Sequence, residues 1–382
     1  MNRLVIILGL IISGCANSAQ EKNDAILPGA YQTEQYLSIL KDKRVGLTVN
    51  HSSLIDKTHL ADTLISSGIE IVKVFTPEHG FKGTASDGAT IEYDDQQQSF
   101  ELVSLYGKNK KPTDQQMQGI DLMVFDIQDV GARFYTYIST MHYVMEACAE
   151  NDIPLLILDR PNPNASYVDG PVLDTAFQSF VGMHPIPIVH GMTIGEYAKM
   201  INGEGWLTNG IQCDLNVIPI KNWDHSKPYS LPVKPSPNLP DDLSISLYPS
   251  LCLFEGTMMS VGRGTSYAFQ QIGHPDYPDT TYSFIPKSWE GSKWPPHENE
   301  VCYGISWTGQ KPQYRLSLKS LIESYKKMDT EDFFNDYFTN LAGTKELRKQ
   351  IESGMTEKEI KATWEPKLSK FKTKREKYLL YN

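Results

Sequence analysis

The chain has 382 residues, 40% of them hydrophobic and 10% aromatic, with 27 glycines and 23 prolines. At roughly 150 residues per domain this length predicts two or three folding units, and the apolar content without a short-period repeat excludes disorder, collagen and coiled coil. Its 36 Lys and Arg against 46 Asp and Glu give a net charge of −10, which argues against general binding of nucleic acid. Residues 311–382 are the basic exception, with 16 Lys and Arg against 11 Asp and Glu, and read as a solvated helical surface.

The first fifteen residues read as a targeting segment. Asn2-Arg3 is a short positive stretch, and Leu4 to Ile12 is an apolar run. A bilayer takes ~20 residues, so the run is too short to span one but suits the core of a signal peptide. It stops at Ile12-Ser13-Gly14-Cys15, which resembles the lipobox of bacterial lipoproteins. That resemblance implies cleavage before Cys15, an acylated N-terminus at this cysteine, residues 16–29 as a polar tether, and anchoring to a membrane of the bacterial cell envelope, on its periplasmic face or at the cell surface. The alternative is a plain secretory peptide with an incidental cysteine. The other cysteines, Cys148, Cys213, Cys252 and Cys302, are far apart, so a zinc ribbon or redox pair is not expected. Cys148 and Cys252 sit among apolar residues and read as buried thiols.

Short apolar runs then alternate with helical patterns. Val45–Val49, Ile71–Phe75, Leu122–Ile127, Leu155–Asp159 and Asn216–Ile220 are nearly continuous in apolar residues, as strands covered on both faces are. Ile138, Met141, Met145 and Cys148 recur at helical spacing, and Thr193-Ile194-Gly195-Glu196 is a capping box opening another helix. The alternation predicts an α/β fold with a parallel sheet and right-handed crossovers. Five prolines between Lys227 and Pro240 exclude a helix or central strand there and predict an ordered loop crossing the top of the domain. Beyond residue 271 the pattern changes. A strand is expected at Val301–Trp307, a helix carrying Leu318, Leu321, Ile322 and Tyr325, and a last helix opened by the capping box Thr356 to Glu359. The expected division is therefore 30–271 for the main domain and 272–382 for a smaller α+β domain.

In a parallel α/β sheet ligands bind at the carboxyl ends of the strands. Here those ends are polar: Asn50-His51-Ser52-Ser53, Thr76-Pro77-Glu78-His79-Gly80, Asp126-Ile127-Gln128-Asp129 with Gly131 and Arg133, and Asp159-Arg160-Pro161-Asn162. Four such loops meeting at one crevice would bring carboxylates together, and neighbouring carboxylates raise one another's proton affinity. The common alternatives lack their residues. The nearest match to a dinucleotide fingerprint, at Gly262-Arg263-Gly264, has Tyr267 in place of its last glycine. The chain has no Walker loop, zinc-protease helix or nucleophile elbow, and its nine histidines lack ligand spacing. Acid–base chemistry by carboxylates remains, pointing to hydrolysis or glycosyl bonds without metal or cofactor.

At these loops the sequence resembles the NamZ-type exo-β-N-acetylmuramidases, which remove terminal N-acetylmuramic acid from peptidoglycan fragments. The segments that carry the resemblance are Val45–His51, Phe75–Gly83, Phe125–Tyr137, Asp159–Pro163, Asp169–Pro171, Pro187–Thr193, Pro235–Leu239 and Phe254–Thr257. It runs in order from about residue 30 to the end. It implies a Rossmann-like main domain, a smaller C-terminal domain, an active cleft between them, and Glu78 as the acid/base.

On the residues themselves, Pro77 stiffens the turn that holds Glu78 at the crevice mouth. Asp129 is the favoured second carboxylate, with Glu255 as its rival; Asp126 reads either as another or as a loop cap. His79 would orient Glu78 or bond a sugar hydroxyl. N-acetylmuramic acid differs from N-acetylglucosamine by a lactyl carboxylate, so Arg133 or Arg263 is expected to read that group, unless each is spent on an internal ion pair. Asn162, His190, Asn238 and Asp169 are further contact candidates that could equally tie down loops. Phe134-Tyr135-Thr136-Tyr137 offers a stacking face or a helix start, and the tryptophans are too dispersed in sequence to form a platform. The expected partners are peptidoglycan fragments or muropeptides; the competing reading is a non-catalytic envelope lipoprotein that binds glycans.

Overall fold

The computed structural model describes residues 24–78, 80–81 and 100–381. The lipobox with Cys15, the first part of the tether, and His79 lie outside these residues. Six strands pair in parallel: β1 (Arg44–Val49), β2 (Glu70–Thr76), β3 (Glu101–Ser104), β4 (Leu122–Asp126), β5 (Leu155–Leu158) and β6 (Leu215–Ile218). Their order across the sheet is β3-β2-β1-β4-β5-β6, that of a dinucleotide-binding Rossmann fold. The central strands β4 and β5 are buried at every residue, which is why they read as unbroken apolar runs. The edge strand β3 is only partly covered and begins with Glu101, so its sequence carries no such signal.

Each face of the sheet has its own core. On one, Val45, Leu47, Val74 and Val124 pack against Tyr36 and Leu40 of α1 (Thr33–Leu40) and Leu60 and Leu64 of α2 (Leu60–Ser66). On the other, Phe75, Phe125 and Ile157 share a core with α3 (Asp114–Met117), α4 (Tyr137–Glu150) and α5 (Ile194–Gly203). The predicted capping box at Thr193 is formed, with Glu196 answering the Thr193 backbone.

That second core continues into the C-terminal unit. It takes in α6 (Asp242–Leu251), a helix with Pro249 in its last turn, and reaches Trp364 and Phe371. The unit adds a three-stranded antiparallel sheet of β7 (Gln271–His274), β8 (Ser283–Phe284) and β9 (Cys302–Ser306), in the order β8-β9-β7. Helices α7 (Lys319–Met328), α8 (Tyr337–Ala342), α9 (Glu346–Glu352) and α10 (Glu357–Glu376) follow.

The basic C-terminal segment is more than a solvated face. Lys361 reaches Asp169 at 2.7 Å, Lys374 pairs with Glu204, and the Arg375 guanidinium donates to the Gly191 carbonyl, fastening α10 across the α/β unit. The four described cysteines are buried free thiols. Among the described residues no helix is long and apolar enough to cross a membrane.

Candidate active site

The register places the ends of β1, β2 and β4 side by side, with Val49 opposite Asp126 and Thr48 opposite Phe75. The polar loops predicted to meet there do meet, but most of them bond to one another. Asp126 and Arg160 form a fully buried two-point ion pair, with Nη2 to Oδ2 at 2.8 Å, and the same Nη2 donates to the Leu54 carbonyl at 3.0 Å. Asn50 Oδ1 accepts from the Ser52 amide and hydroxyl, and Gln128 Nε2 donates to the carbonyls of Asp129 and Pro161. Asp159 is enclosed by the hydroxyls of Thr193 and Tyr381, both at 2.6 Å, and burial raises its carboxyl to about 6. These groups form a solid polar floor.

The open space lies beside this floor, between the start of α4 and the C-terminal unit. It is a cavity of about 430 Å³, within the usual size of small-molecule sites. Glu78 lines it. β2 delivers the chain to its mouth and Pro77 fixes the backbone there. Thr136, at the N-cap of α4, does not cap the helix with its side chain; its hydroxyl donates instead to Glu78 Oε2 at 3.3 Å.

Glu255 also lines the cavity, on the tight turn Cys252–Gly256 after α6, and accepts from Arg263 Nε at 2.5 Å. Arg263 also lies over the Phe269 ring, 5.1 Å from its centroid. Phe269 is held at φ +57°, a conformation costly for a bulky side chain and common at functional sites. Tyr337, at the start of α8, completes the wall. Partial burial raises its phenol above the usual range, and the negative charges of Glu255 and Glu78 raise it further. It therefore stays an O–H donor close to both carboxylates.

Of the residues singled out in the sequence, the structure gathers Glu78, Glu255, Arg263 and the stretch Phe134-Tyr135-Thr136-Tyr137 at the cavity. It places Asp126, Asp129, Arg133, Asn162, His190 and Asn238 elsewhere. Asp129 is buried off the cavity, its Oδ2 accepting the Gly131 N–H at 2.7 Å and its Oδ1 unbonded among the described residues. Asp126 is consumed by Arg160. Arg133 is sealed in the interior, donating to the carbonyls of Pro171, Ile186 and Leu341 at 2.8–2.9 Å, and among the described residues no carboxylate balances it. Burial lowers its guanidinium to about 9. It cannot grip a substrate carboxylate from there; it clamps the cavity walls, since Phe134 beside it and Leu341 both line the space.

Asn162 donates to the Met192 carbonyl and accepts from the Asn164 amide. His190 is fully buried, its Nδ1 accepting from the Met192 amide. Asn238 donates to the Gly291 carbonyl at 3.1 Å. These three are loop ties. The Pro-rich loop crosses as expected, its Pro235 carbonyl accepting from the Tyr135 hydroxyl at 2.7 Å. Tyr337, Lys293 and Trp294 line the cavity without having been singled out, because Lys293 and Trp294 lie in an irregular stretch and Tyr337 opens a short helix, and neither segment carries a sequence motif.

A Rossmann-ordered sheet whose cleft toward a smaller α+β unit holds two carboxylates, an arginine and aromatic walls defines a class of protein built for acid–base work on a small polar molecule. Comparison with known proteins narrows it. The model for the N-terminal part of the exo-β-N-acetylmuramidase NamZ matches residues 45–243, and that for its C-terminal part matches 246–381. The chain belongs to the NamZ exo-β-N-acetylmuramidase family. It is 37% identical to the peptidoglycan β-N-acetylmuramidase NamZ of Bacillus subtilis (strain 168), over 94% of this chain and 90% of that one. Two crystal structures of DUF1343 family proteins from Bacteroides fragilis NCTC 9343 share the fold. One is 45% identical with a TM-score of 0.87, the other 26% identical with a TM-score of 0.80; each match covers 94% of this chain and 99% of the other.

Proposed function

We propose that the protein is an exo-acting glycoside hydrolase that releases β-linked N-acetylmuramic acid from the non-reducing end of peptidoglycan fragments, in the turnover of the cell wall. Membership of the NamZ family along nearly the whole chain is the observation that carries this reading. The geometry supports it, because two carboxylates lining one cavity are what glycosyl transfer to water uses. In this reading Glu78, held by Thr136, gives its proton to the leaving glycosidic oxygen and then takes one from the attacking water. Glu255, held by Arg263, steadies the oxocarbenium-like charge on the sugar, and the Tyr337 phenol donates a hydrogen bond within the same wall. We further read the N-terminal segment as a lipoprotein signal, with Cys15 acylated and the enzyme tethered in the cell envelope.

The test is direct. The soluble chain starting after Cys15 is incubated with a chromogenic N-acetylmuramic acid β-glycoside and with its N-acetylglucosamine counterpart. Release from the muramic compound alone supports the reading. Tight binding without release would instead mark a glycan-binding lipoprotein.

A further inference from the structure

The mouth of the cavity carries two side chains that the reaction above does not use. Trp294 is 75% exposed, more than any other large apolar side chain among the described residues, and it lines the cavity with its neighbour Lys293. The backbone that carries them is pinned at several points. Lys287 donates to the Gly264 carbonyl at 2.9 Å and Asn299 to that of Pro286 at 2.8 Å. Trp289 and Ser292 exchange both backbone hydrogen bonds, the Ser288 hydroxyl donates to the Lys293 carbonyl at 2.7 Å, and Asn238 holds Gly291. Gly291 is packed so closely that a Cβ there would stand 2.7 Å from Pro237 and 2.5 Å from the Trp289 ring. A fixed backbone that holds an indole out in water over a cavity has no packing purpose, but it is pre-organised for a ligand.

Charge points the same way. Among the described residues, the cations lining the cavity are Arg263 and Lys293. Arg263 is drawn onto Glu255, whereas Lys293 forms no salt bridge among the described residues.

We propose that Lys293 and Trp294 form a substrate subsite at the cavity mouth. Lys293 pairs with the lactyl carboxylate of the terminal N-acetylmuramic acid, and Trp294 stacks on the apolar face of the N-acetylglucosamine ring that leaves. This rests on the functional reading above and names how that site selects its substrate. An ammonium on a flexible stem suits a carboxylate on a rotatable ether arm, and an exposed indole suits a ring with one C–H face.

Three substrates test it: the muramic–glucosamine disaccharide, and the trifluoroethyl β-glycosides of each sugar, which carry no second ring. Lys293→Gln lowers the muramic-over-glucosamine ratio of kcat/KM on the trifluoroethyl glycosides by about tenfold, and Lys293→Arg restores most of it. Trp294→Ala loses about tenfold more kcat/KM on the disaccharide than on the trifluoroethyl muramic glycoside, and Trp294→Phe recovers part of the difference. Either ratio staying at its wild-type value overturns the subsite. Wild-type protein that hydrolyses none of the three removes the functional reading instead. The subsite is then decided by disaccharide titration of tryptophan fluorescence, which responds in the unsubstituted protein and loses that response in Trp294→Ala, or else refutes it.

Discussion

Replacing Asp129 by asparagine separates a structural carboxylate from a catalytic one. Burial, opposed by the backbone bonds of Gly131 and Val130, raises this carboxyl from 3.8 to about 7. The folded protein therefore keeps a proton between pH 4 and 7 that the unfolded chain has released. Stability from this group is full below pH 4 and is lost as pH rises toward 7. A shift of about three units at about 1.4 kcal/mol each amounts to about 4 kcal/mol. Asparagine still accepts the Gly131 N–H and carries no charge to desolvate. Asp129→Asn is thus about as stable as the parent at pH 4 and more stable by up to about 4 kcal/mol at pH 8. Urea unfolding followed by far-ultraviolet circular dichroism at unit steps of pH measures the difference. A difference that does not grow with pH, or a variant less stable at pH 8, refutes the assignment. Because Asp129 does not line the cavity, kcat of the variant falls by less than the about hundredfold that loss of a general acid brings.

Two further expectations follow from buried groups. Arg133→Met strands three interior carbonyls at about 1–3 kcal/mol each, partly offset by removing an unbalanced buried cation, for a net loss of about 3–5 kcal/mol; thermal unfolding that shifts by less than a degree or two would contradict the clamp. Acid destabilises the fold from the other direction. Burial lowers His142, His184 and His190, the last to about 3, so below pH 6.5 the unfolded chain binds protons that the folded one refuses. In the Asp129→Asn background the larger opposite contribution is gone and that of Asp159, raised to about 6, is outweighed by the three histidines, so the melting temperature falls steadily from pH 7 to pH 4, and a flat profile would exclude this account.

The fold was legible where burial on both faces turned strands into unbroken apolar runs. β1, β2, β4 and β5 could be marked for that reason, the other edge strand β6 was marked from its apolar residues although only Ile218 in it is buried, and the capping boxes at Thr193 and Thr356 fixed two helix starts. What escaped was either partly exposed, as β3 is, or broke a local rule that tertiary packing overrode. Pro249 sits inside α6, where its neighbours are buried on every side. The site was legible in part for the same kind of reason. Strand ends mark where polar groups collect, but not which of them face water and which face each other. Asp126 and Arg160 look like chemistry in one dimension and prove to be mutual partners in three. Asn238 shows the reverse connection: a residue that the sequence offers as a sugar contact or a loop tie holds Gly291, and through it the segment that presents Lys293 and Trp294.

The central claim is that one carboxyl group at the cavity wall moves the proton in glycoside cleavage, and Glu78→Gln tests it most directly. With the muramic–glucosamine disaccharide, kcat falls by about 10²–10⁴ while calorimetry shows the disaccharide still bound with an affinity close to that of the parent. A Glu78→Gln variant that turns over at the parental rate would contradict the account.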